Sequence, residues 1–277
     1  KAEITAKEGS KEWWLEYAEK LKSIKILDPA CGSGAFLVKV FDYLQNEWQE
    51  VPEEIKTEIK AEIKTETKTN WNYKDILTNN IYGVDINPAS VSITKLSLWL
   101  KTAHYREPLT TLDNNIKIGN SLIDNPDIAG YYSEFEGKIV SEILEKQADF
   151  LIDAEQLKKD KQDTESQFKK SLAFKWEKEF KEVFKEGGFD VVVGNPPYVF
   201  ARGGNFSDIT KDYYYKNYKF TDYQINTYLL FIEQGCKLLN NGRLGFIVPN
   251  NWLTINTFAN LRKLSTAILS MRSCKVS

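Results

Sequence analysis

Two short runs in this 277-residue chain carry residue types that can do chemistry. The first is Asn195-Pro196-Pro197-Tyr198, at the end of the apolar run Phe189-Asp190-Val191-Val192-Val193-Gly194. Asn195 offers an amide oxygen, Pro196 a carbonyl outside any strand ladder, and Tyr198 a flat ring. Together they can hold a planar group that bears an exocyclic amine. The prolines stop a strand and stiffen the backbone at its carboxyl end, which is where open α/β sheets bind ligands. Taken alone, the run reads equally well as a loop that ends a strand. The second run is Asp28-Pro29-Ala30-Cys31-Gly32-Ser33-Gly34. Its glycines permit a tight turn and close approach of backbone to ligand, and Asp28 can accept from a cationic amine. Position 37 is Leu, so the dinucleotide spacing G-x-G-x-x-G is absent, and no Gly-Lys-Ser/Thr closes a phosphate loop. An acid ahead of a glycine loop suits a ligand with an amino-acid end better than one with a pyrophosphate.

A parallel sheet would bring these runs together. Ile24-Lys25-Ile26-Leu27 is a short apolar segment before the glycine loop, and Ala35 to Trp48 is an amphipathic stretch after it. Strand, loop and helix follow one another, with the helix amides aimed at the loop. Asn80 to Ile86 reads as a second strand ending in Asp85, placed to accept from ribose hydroxyls. Asn87-Pro88 starts a helix, which Ser90 to Leu100 continues with apolar positions at Val91, Leu96 and Leu100. Ile116-Lys117-Ile118 leads into Gly119-Asn120-Ser121-Leu122, where Asn120 can read an adenine edge. The run from Phe189 to Val193 reads as a buried parallel strand. In this order the elements describe an adenosine-binding site on one edge of a sheet.

This order of motifs resembles the N6-adenine DNA methyltransferases, in particular their Eco57I-like and TaqI-like group. The likeness covers most of residues 24–264. Downstream it includes a helix beginning Tyr228-Leu229-Leu230-Phe231-Ile232-Glu233, a turn Asn240-Asn241-Gly242-Arg243, a strand Leu244 to Pro249, and Asn250-Asn251-Trp252-Leu253 leading into another helix. The resemblance implies an α/β fold, a Rossmann-like adenosylmethionine-dependent methyltransferase sheet with helical insertions. Its strands are expected near 24–27, 81–85, 115–118, 189–193 and 243–248, in the order 3-2-1-4-5, with the last strands absent or incomplete. It implies methyl transfer from S-adenosylmethionine, leaving S-adenosylhomocysteine, to the N6 amine of a flipped-out adenine in double-stranded DNA. The setting would be the modification part of a restriction–modification or phage-defence system. The expected cofactor contacts are Asp28, Pro29, Ala30, Cys31, Gly32, Gly34, Asp85, Ile86, Asn120 and Ser121. The expected catalytic residues are Asn195, Pro196, Pro197 and Tyr198, with Phe258 as a second aromatic wall for the flipped base. Phe258 reads otherwise as a core residue of a helix from Thr257 to Leu269. Asn-Pro-Pro-Tyr also occurs in enzymes that methylate a protein glutamine amide or an RNA base. An inactive cofactor- or DNA-binding piece is the non-enzyme alternative.

The chemistry asks for little else. Two acceptors aimed at the hydrogens of an exocyclic nitrogen favour its pyramidal form and take up the charge that develops. No metal and no histidine is required, and His104, the single histidine, reads as a helix-end surface residue. The cysteines Cys31, Cys236 and Cys274 are widely separated and odd in number, which argues against a disulfide framework and against metal-ligand spacing. No apolar run is long enough to cross a bilayer, and the expected location is the cytoplasm of a bacterial or archaeal cell. A net charge of −2 departs from the basic balance of many DNA-binding proteins, so another domain is expected to do most of the gripping. Arg202, Lys211, Lys216 and Lys219, interleaved with Tyr213, Tyr214, Tyr215, Tyr218 and Tyr223, read either as a nucleic-acid contact or as a solvated loop packed with Tyr.

Two stretches, about 51–72 and about 130–187, read as helical insertions on the surface: charges alternate through the first, and the second is dense in Lys and Glu with Leu, Ile and Phe at helical spacing. In the first, Ile55, Ile59 and Ile63 make one thin apolar face. The whole of 1–277 is expected to be one catalytic domain and a fragment of a larger protein. Target-recognition and nuclease domains, where the parent has them, are expected elsewhere in its chain.

Overall fold

The computed structural model describes residues 4–63, 73–103, 110–129, 172–201, 206–221 and 225–249. Five parallel strands form one sheet: β1 (Ile26–Asp28), β2 (Ile81–Asp85), β3 (Ile116–Ile118), β4 (Phe189–Gly194) and β5 (Leu239–Phe246). Their order is β3-β2-β1-β4-β5, as expected of a Rossmann-like sheet. The chain runs outward from β1 through β2 to β3, then returns to place β4 on the other side of β1. That reversal separates the loops leaving β1 and β4 and opens a crevice at the carboxyl ends of the strands. The two chemical runs are those two loops.

Alternation along the strands divides the core between two faces. Ile26, Ile81 and Ile116 face one apolar cluster with Leu37, Phe41 and Leu98. Leu27, Tyr82 and Val192 face the other, with Phe180, Phe189 and Tyr228. The first face is covered by α1 (Lys11–Ser23), α2 (Ala35–Glu50), α3 (Glu53–Ile63) and α4 (Pro88–Thr102). Helix α5 (Asp208–Asn217) and helix α6 (Thr227–Leu238) follow β4. Side-chain caps start four of these helices: Ser10, Asn87, Ser207 and Asn226 each accept from a backbone N–H of the first turn, as short polar side chains do at that position. Pro88 occupies the first turn of α4.

Several expectations change. Strand β5 begins at Leu239 and ends at Phe246, earlier than 243–248. The expected turn at Asn240 to Arg243 is a bulge inside it: Leu239 to Arg243 on β5 spans only Phe189 to Val191 on β4. Asn241 absorbs the extra length at φ 51°, a conformation Asn tolerates better than most residues. In α4 the buried positions are Val91, Thr94, Leu98 and Thr102, whereas Leu96 and Leu100 are 53% and 69% exposed. Helix α3 forms within the first insertion, but Ile55 and Ile59 dock it into the core.

The second insertion is corrected most. Leu172, Phe174, Trp176, Phe180 and Val183 are buried, and the short helices Trp176–Glu179 and Lys181–Lys185 pack against the sheet. The abundant Lys and Glu of this stretch suggested a solvated surface. Its aromatic side chains decide otherwise, because each buries far more apolar area than a charged neighbour needs to keep in water. The apolar side chains of residues 172–187 therefore belong to the core while its charged ones stay in water, and the rest of that insertion lies outside the described residues.

Candidate functional site

The glycine loop is shaped mainly by main-chain contacts. Cys31 N–H donates to the Val84 carbonyl at 3.0 Å and Gly34 N–H to the Cys31 carbonyl at 2.8 Å. Thr94 Oγ1 donates to the Gly32 carbonyl at 2.7 Å. Gly34 caps α2 at φ 85°, and a Cβ there would stand 2.9 Å from the Thr94 side chain and 3.2 Å from its Cα. The position thus combines a left-handed backbone with a closed wall, and only glycine meets both. Nothing lies within 4 Å of the space a Gly32 Cβ would fill.

Two acids fix this loop from below and from the side. Asp28 is 1% exposed, and its Oδ1 accepts from Ala30 N–H at 3.0 Å. Burial, with the Asp85 charge in support, lifts its carboxyl to about 7 against the pull of Ala30 N–H. Asp85 accepts from Gly32 N–H at 2.8 Å and from Asn87 N–H at 2.9 Å. Burial raises its carboxyl too, opposed by those same two donors. The end of β2 is thereby tied to both the glycine loop and the start of α4. Cys31 is buried and its thiol is pushed up by burial, so it is a packing residue and not a nucleophile.

The turn after β3 completes this side. Asn120 Oδ1 accepts from Leu122 N–H at 3.0 Å, and Ser121 Oγ donates to the Pro29 carbonyl at 2.6 Å. The segment Leu172 to Trp176 supports the turn from behind: Asn120 N–H donates to the Leu172 carbonyl at 2.7 Å, and Trp176 Nε1 donates to the Ser121 carbonyl at 3.1 Å.

The loop after β4 is held differently. Gly194 closes the strand at φ 155°, where a Cβ would stand 2.6 Å from Asp28 Oδ1. Asn195, Pro197 and Tyr198 are exposed and Pro196 is buried. Thr227, at the start of α6, clamps the loop: its Oγ1 donates to the Pro197 carbonyl and accepts from Val199 N–H at 2.9 Å. Its N–H donates to the Val199 carbonyl at 3.0 Å. Tyr198 Oη meets the side-chain amide of Asn195 and the Ile247 carbonyl. The Tyr198 ring stands edge-on to buried Tyr228, centroids 6.0 Å apart and planes at 89°.

Both sides line one cleft of about 740 Å³. Of the expected cofactor residues, Pro29, Ala30, Asp85, Ile86, Asn120 and Ser121 line it, whereas Asp28, Cys31, Gly32 and Gly34 shape the loop behind them. Of the expected catalytic residues, Asn195, Pro197 and Tyr198 line it. Phe258 lies outside the described residues, as do His104, Cys274, Arg202, Tyr223 and the Asn250 to Leu253 block. The cleft also takes in Tyr214, one of the tyrosines that read as a nucleic-acid contact, and Phe200, Thr227 and Phe231, which no motif of the sequence marks. Asn226 before the apolar run from Tyr228 does signal a helix start, but no local pattern shows that Thr227 reaches back 30 residues to Pro197.

The Tyr-rich stretch divides by helical spacing. Tyr214 and Tyr218 are buried, Tyr218 Oη lying 2.8 Å from the Leu122 carbonyl. Tyr215, Lys216 and Lys219 are exposed, and Lys211 pairs with Asp208 at 2.9 Å.

The arrangement offers hydrogen-bond acceptors and aromatic surface in one crevice. Among the described residues, no group of three or more His, Cys, Asp or Glu could hold a metal ion, and no helix is long and apolar enough to cross a membrane.

The family model described as Eco57I restriction-modification methylase matches residues 79–276, and that described as MmeI, DNA-methyltransferase domain matches residues 4–122. The chain is 29% identical to the type II restriction enzyme and methyltransferase RM.Eco57I of Escherichia coli, over 90% of this chain and 22% of that protein. It is 26% identical to a Methanocaldococcus jannaschii protein provisionally assigned as a type II restriction enzyme and methyltransferase, over 89% of this chain and 28% of that one. The chain thus spans about a quarter of the length of these curated relatives. Among solved structures it is similar to a nuclease-deletion mutant of the type ISP restriction-modification enzyme LlaGI in complex with a DNA substrate mimic. That match has a TM-score of 0.47 and 16% identity, and covers 87% of this chain and 16% of that one.

Proposed function

Because the chain belongs to the family of the Eco57I restriction-modification methylase, we propose that it is the methyl-transfer unit of a restriction–modification or phage-defence protein. It moves a methyl group from S-adenosylmethionine to the N6 amine of an adenine flipped out of duplex DNA. The observation that carries this reading is the shared cleft: Asp85 and Asn120 line it together with Asn195 and Tyr198.

The residues present fit that cofactor. The cleft falls within the roughly 300–1,000 Å³ usual for small-molecule sites, and the open space over Gly32 leaves the loop backbone approachable. Each Asp85 oxygen accepts one backbone N–H, which leaves further lone pairs for ribose hydroxyls. Asn120 spends its oxygen on Leu122 N–H and offers its amino group to an adenine ring nitrogen. Asp28 lies beneath the loop, and once its carboxyl ionises, near pH 7, its charge favours a cationic amine above. Bound there, the cofactor supplies a methyl group on a sulfonium.

The catalytic loop then acts by position and polarity. The Asn195 amide oxygen and the Pro196 carbonyl accept the two hydrogens of the target amine. They favour a pyramidal nitrogen and stabilise its growing positive charge. Tyr198 stacks on the extruded base, held upright by the edge contact with Tyr228. Phe258 is the proposed second aromatic. Tyr198 and Asn195 are exposed at the mouth of the cleft, which suits a base that arrives from outside.

The test uses the intact protein with adenosylmethionine labelled in its methyl group, offered plasmid DNA, ribosomes or a release factor. Label should enter DNA at adenine, and Asn195→Ala should slow transfer at least about 100-fold while cofactor binding is kept. Label in RNA or protein alone, or equal transfer by the variant, would overturn the proposal.

A further inference from the structure

The chain alternates as it leaves the loop after β4. Val199 and Ala201 turn inward and pack on the apolar cluster of Leu122, Phe206, Tyr214 and Ile225. Tyr198 and Phe200 turn the other way and are 41% and 42% exposed. This is the alternation of an extended strand, and a short antiparallel pairing enforces it. Phe200 stands opposite Asn226. On either side, Ala201 N–H donates to the Ile225 carbonyl at 2.9 Å and Thr227 N–H to the Val199 carbonyl at 3.0 Å. The backbone thus directs the Phe200 ring, and the ring lines the cleft with Tyr198.

A phenylalanine ring kept out of the core forgoes about 25 cal/mol for each Å² left wet. A shift of one residue in the pairing would bury Phe200 and turn the smaller Val199 and Ala201 outward. The fold does the reverse, and does so at the mouth of the cleft. Ile247, whose carbonyl meets the Tyr198 hydroxyl, is exposed there too. Scattered apolar residues on a surface are ordinary. Three of them at one opening make a surface suited to a flat, apolar partner.

We propose that Phe200 stacks on the base next to the flipped adenine, in the strand being methylated. This inference rests on the reading of the cleft as a site of methyl transfer to DNA. In that reading Tyr198 takes one face of the extruded adenine, and Asn195 with Pro196 takes its amine. Extrusion also strips a stacking partner from each neighbouring base, and leaves a bare planar face at the same opening. Phe200 has no hydrogen-bonding group in its side chain, so it covers that face whatever the base, as aromatic side chains do along single strands. It holds the opened duplex over the cleft and adds no sequence preference of its own.

The test measures binding of the intact protein, by fluorescence anisotropy, to a duplex that carries the sequence methylated in plasmid DNA. Phe200→Ala should weaken binding about 5-fold to 100-fold and leave cofactor affinity, read by calorimetry, unchanged. Two further duplexes lack the base 5′ or the base 3′ of the target. On one of them the loss should shrink to less than about twofold, because the ring then has nothing to cover. A duplex lacking the target base itself should show the loss in full. Wild-type affinity in Phe200→Ala, or an equal loss on every duplex, would overturn the proposal. So would a loss that vanishes only with the target base, since Phe200 would then be a wall of the adenine pocket. Methyl transfer by the wild type separates the two levels. If it puts no methyl group into DNA, both readings fall. If it methylates DNA and Phe200→Ala binds as tightly, only the neighbouring contact falls.

Discussion

The loops after β1 and β4 line the same cleft, yet the fold holds them in different ways. The glycine loop is built from within. Its amides and carbonyls bond to Val84, Asp85 and Thr94, and Asp28 and Cys31 are buried beneath it. The loop after β4 is a tethered display. Asn195, Pro197 and Tyr198 are exposed, and it is pinned from behind by one hydroxyl, Thr227, and from above by the Tyr198 contact with Ile247. The difference follows from what each would do. A cofactor loop can be finished before its ligand arrives, because the ligand is small and always the same. A loop that receives a base from a large, variable polymer must keep its side chains outside. The two meet at one point, where Gly194 passes over Asp28.

Of the substitutions that probe how each loop is held, Gly34→Ala should have the largest effect, and it should fall on the first loop. A left-handed backbone costs an L-residue about 1–2 kcal/mol, and the added Cβ would press into Thr94 as well. The thermal midpoint should drop by roughly 5 °C or more, and calorimetry should show cofactor affinity reduced at least about tenfold. Thr227→Val should come next and fall on the second loop. It removes the hydroxyl from Pro197 and Val199 with little change of shape, at about 1–2 kcal/mol of anchoring. Methyl transfer should slow while cofactor affinity holds. Were Thr227→Val to weaken cofactor binding as much as Gly34→Ala, the two loops would be one unit and the contrast would fail.

The smallest effect concerns the meeting point. Burial raises the Asp28 carboxyl from 3.8 to about 7 in the fold. The folded protein therefore holds a proton there that the unfolded chain releases at a lower pH. The contribution of this group to stability is full below the unfolded value, declines as pH rises toward 7, and is flat above it. Asp28→Asn keeps an acceptor for Ala30 N–H and removes the titration. Thermal melts between pH 4 and 8 should show the variant gaining on the wild type as pH rises. Parallel curves would mean that Asp28 is ionised throughout and that the loops meet less tightly than the distances imply.

Much of this was legible in local patterns. Asp28 to Gly34 and Asn195 to Tyr198 are contiguous motifs, and strand-loop-helix order predicts the sheet from them. Asn87-Pro88 announces a helix start, and the structure caps α4 there. What escaped was non-local. The charge density of residues 172–187 hid the aromatic side chains that carry the β3 turn. The polar run Asn240 to Arg243 has turn chemistry, yet pairing with β4 makes it a bulge within β5. Leu96 and Leu100 are apolar, but the face of α4 turned to the core is set by Val91 and Leu98.

By itself, the sequence determined which chemical groups this protein carries: an acid-fronted glycine loop, an acid at the end of a second strand, and an amide, a carbonyl and a ring at the end of a third. Residue types and short spacings specify those, because backbone turns and hydrogen-bonding capacity are local properties. Only the tertiary structure decided how the parts face one another. It brought Thr227 to Pro197, Ile247 to Tyr198 and Leu172 to Asn120, contacts between segments far apart in the chain. Such contacts depend on strand order, register and the filling of a shared core, none of which a single segment encodes.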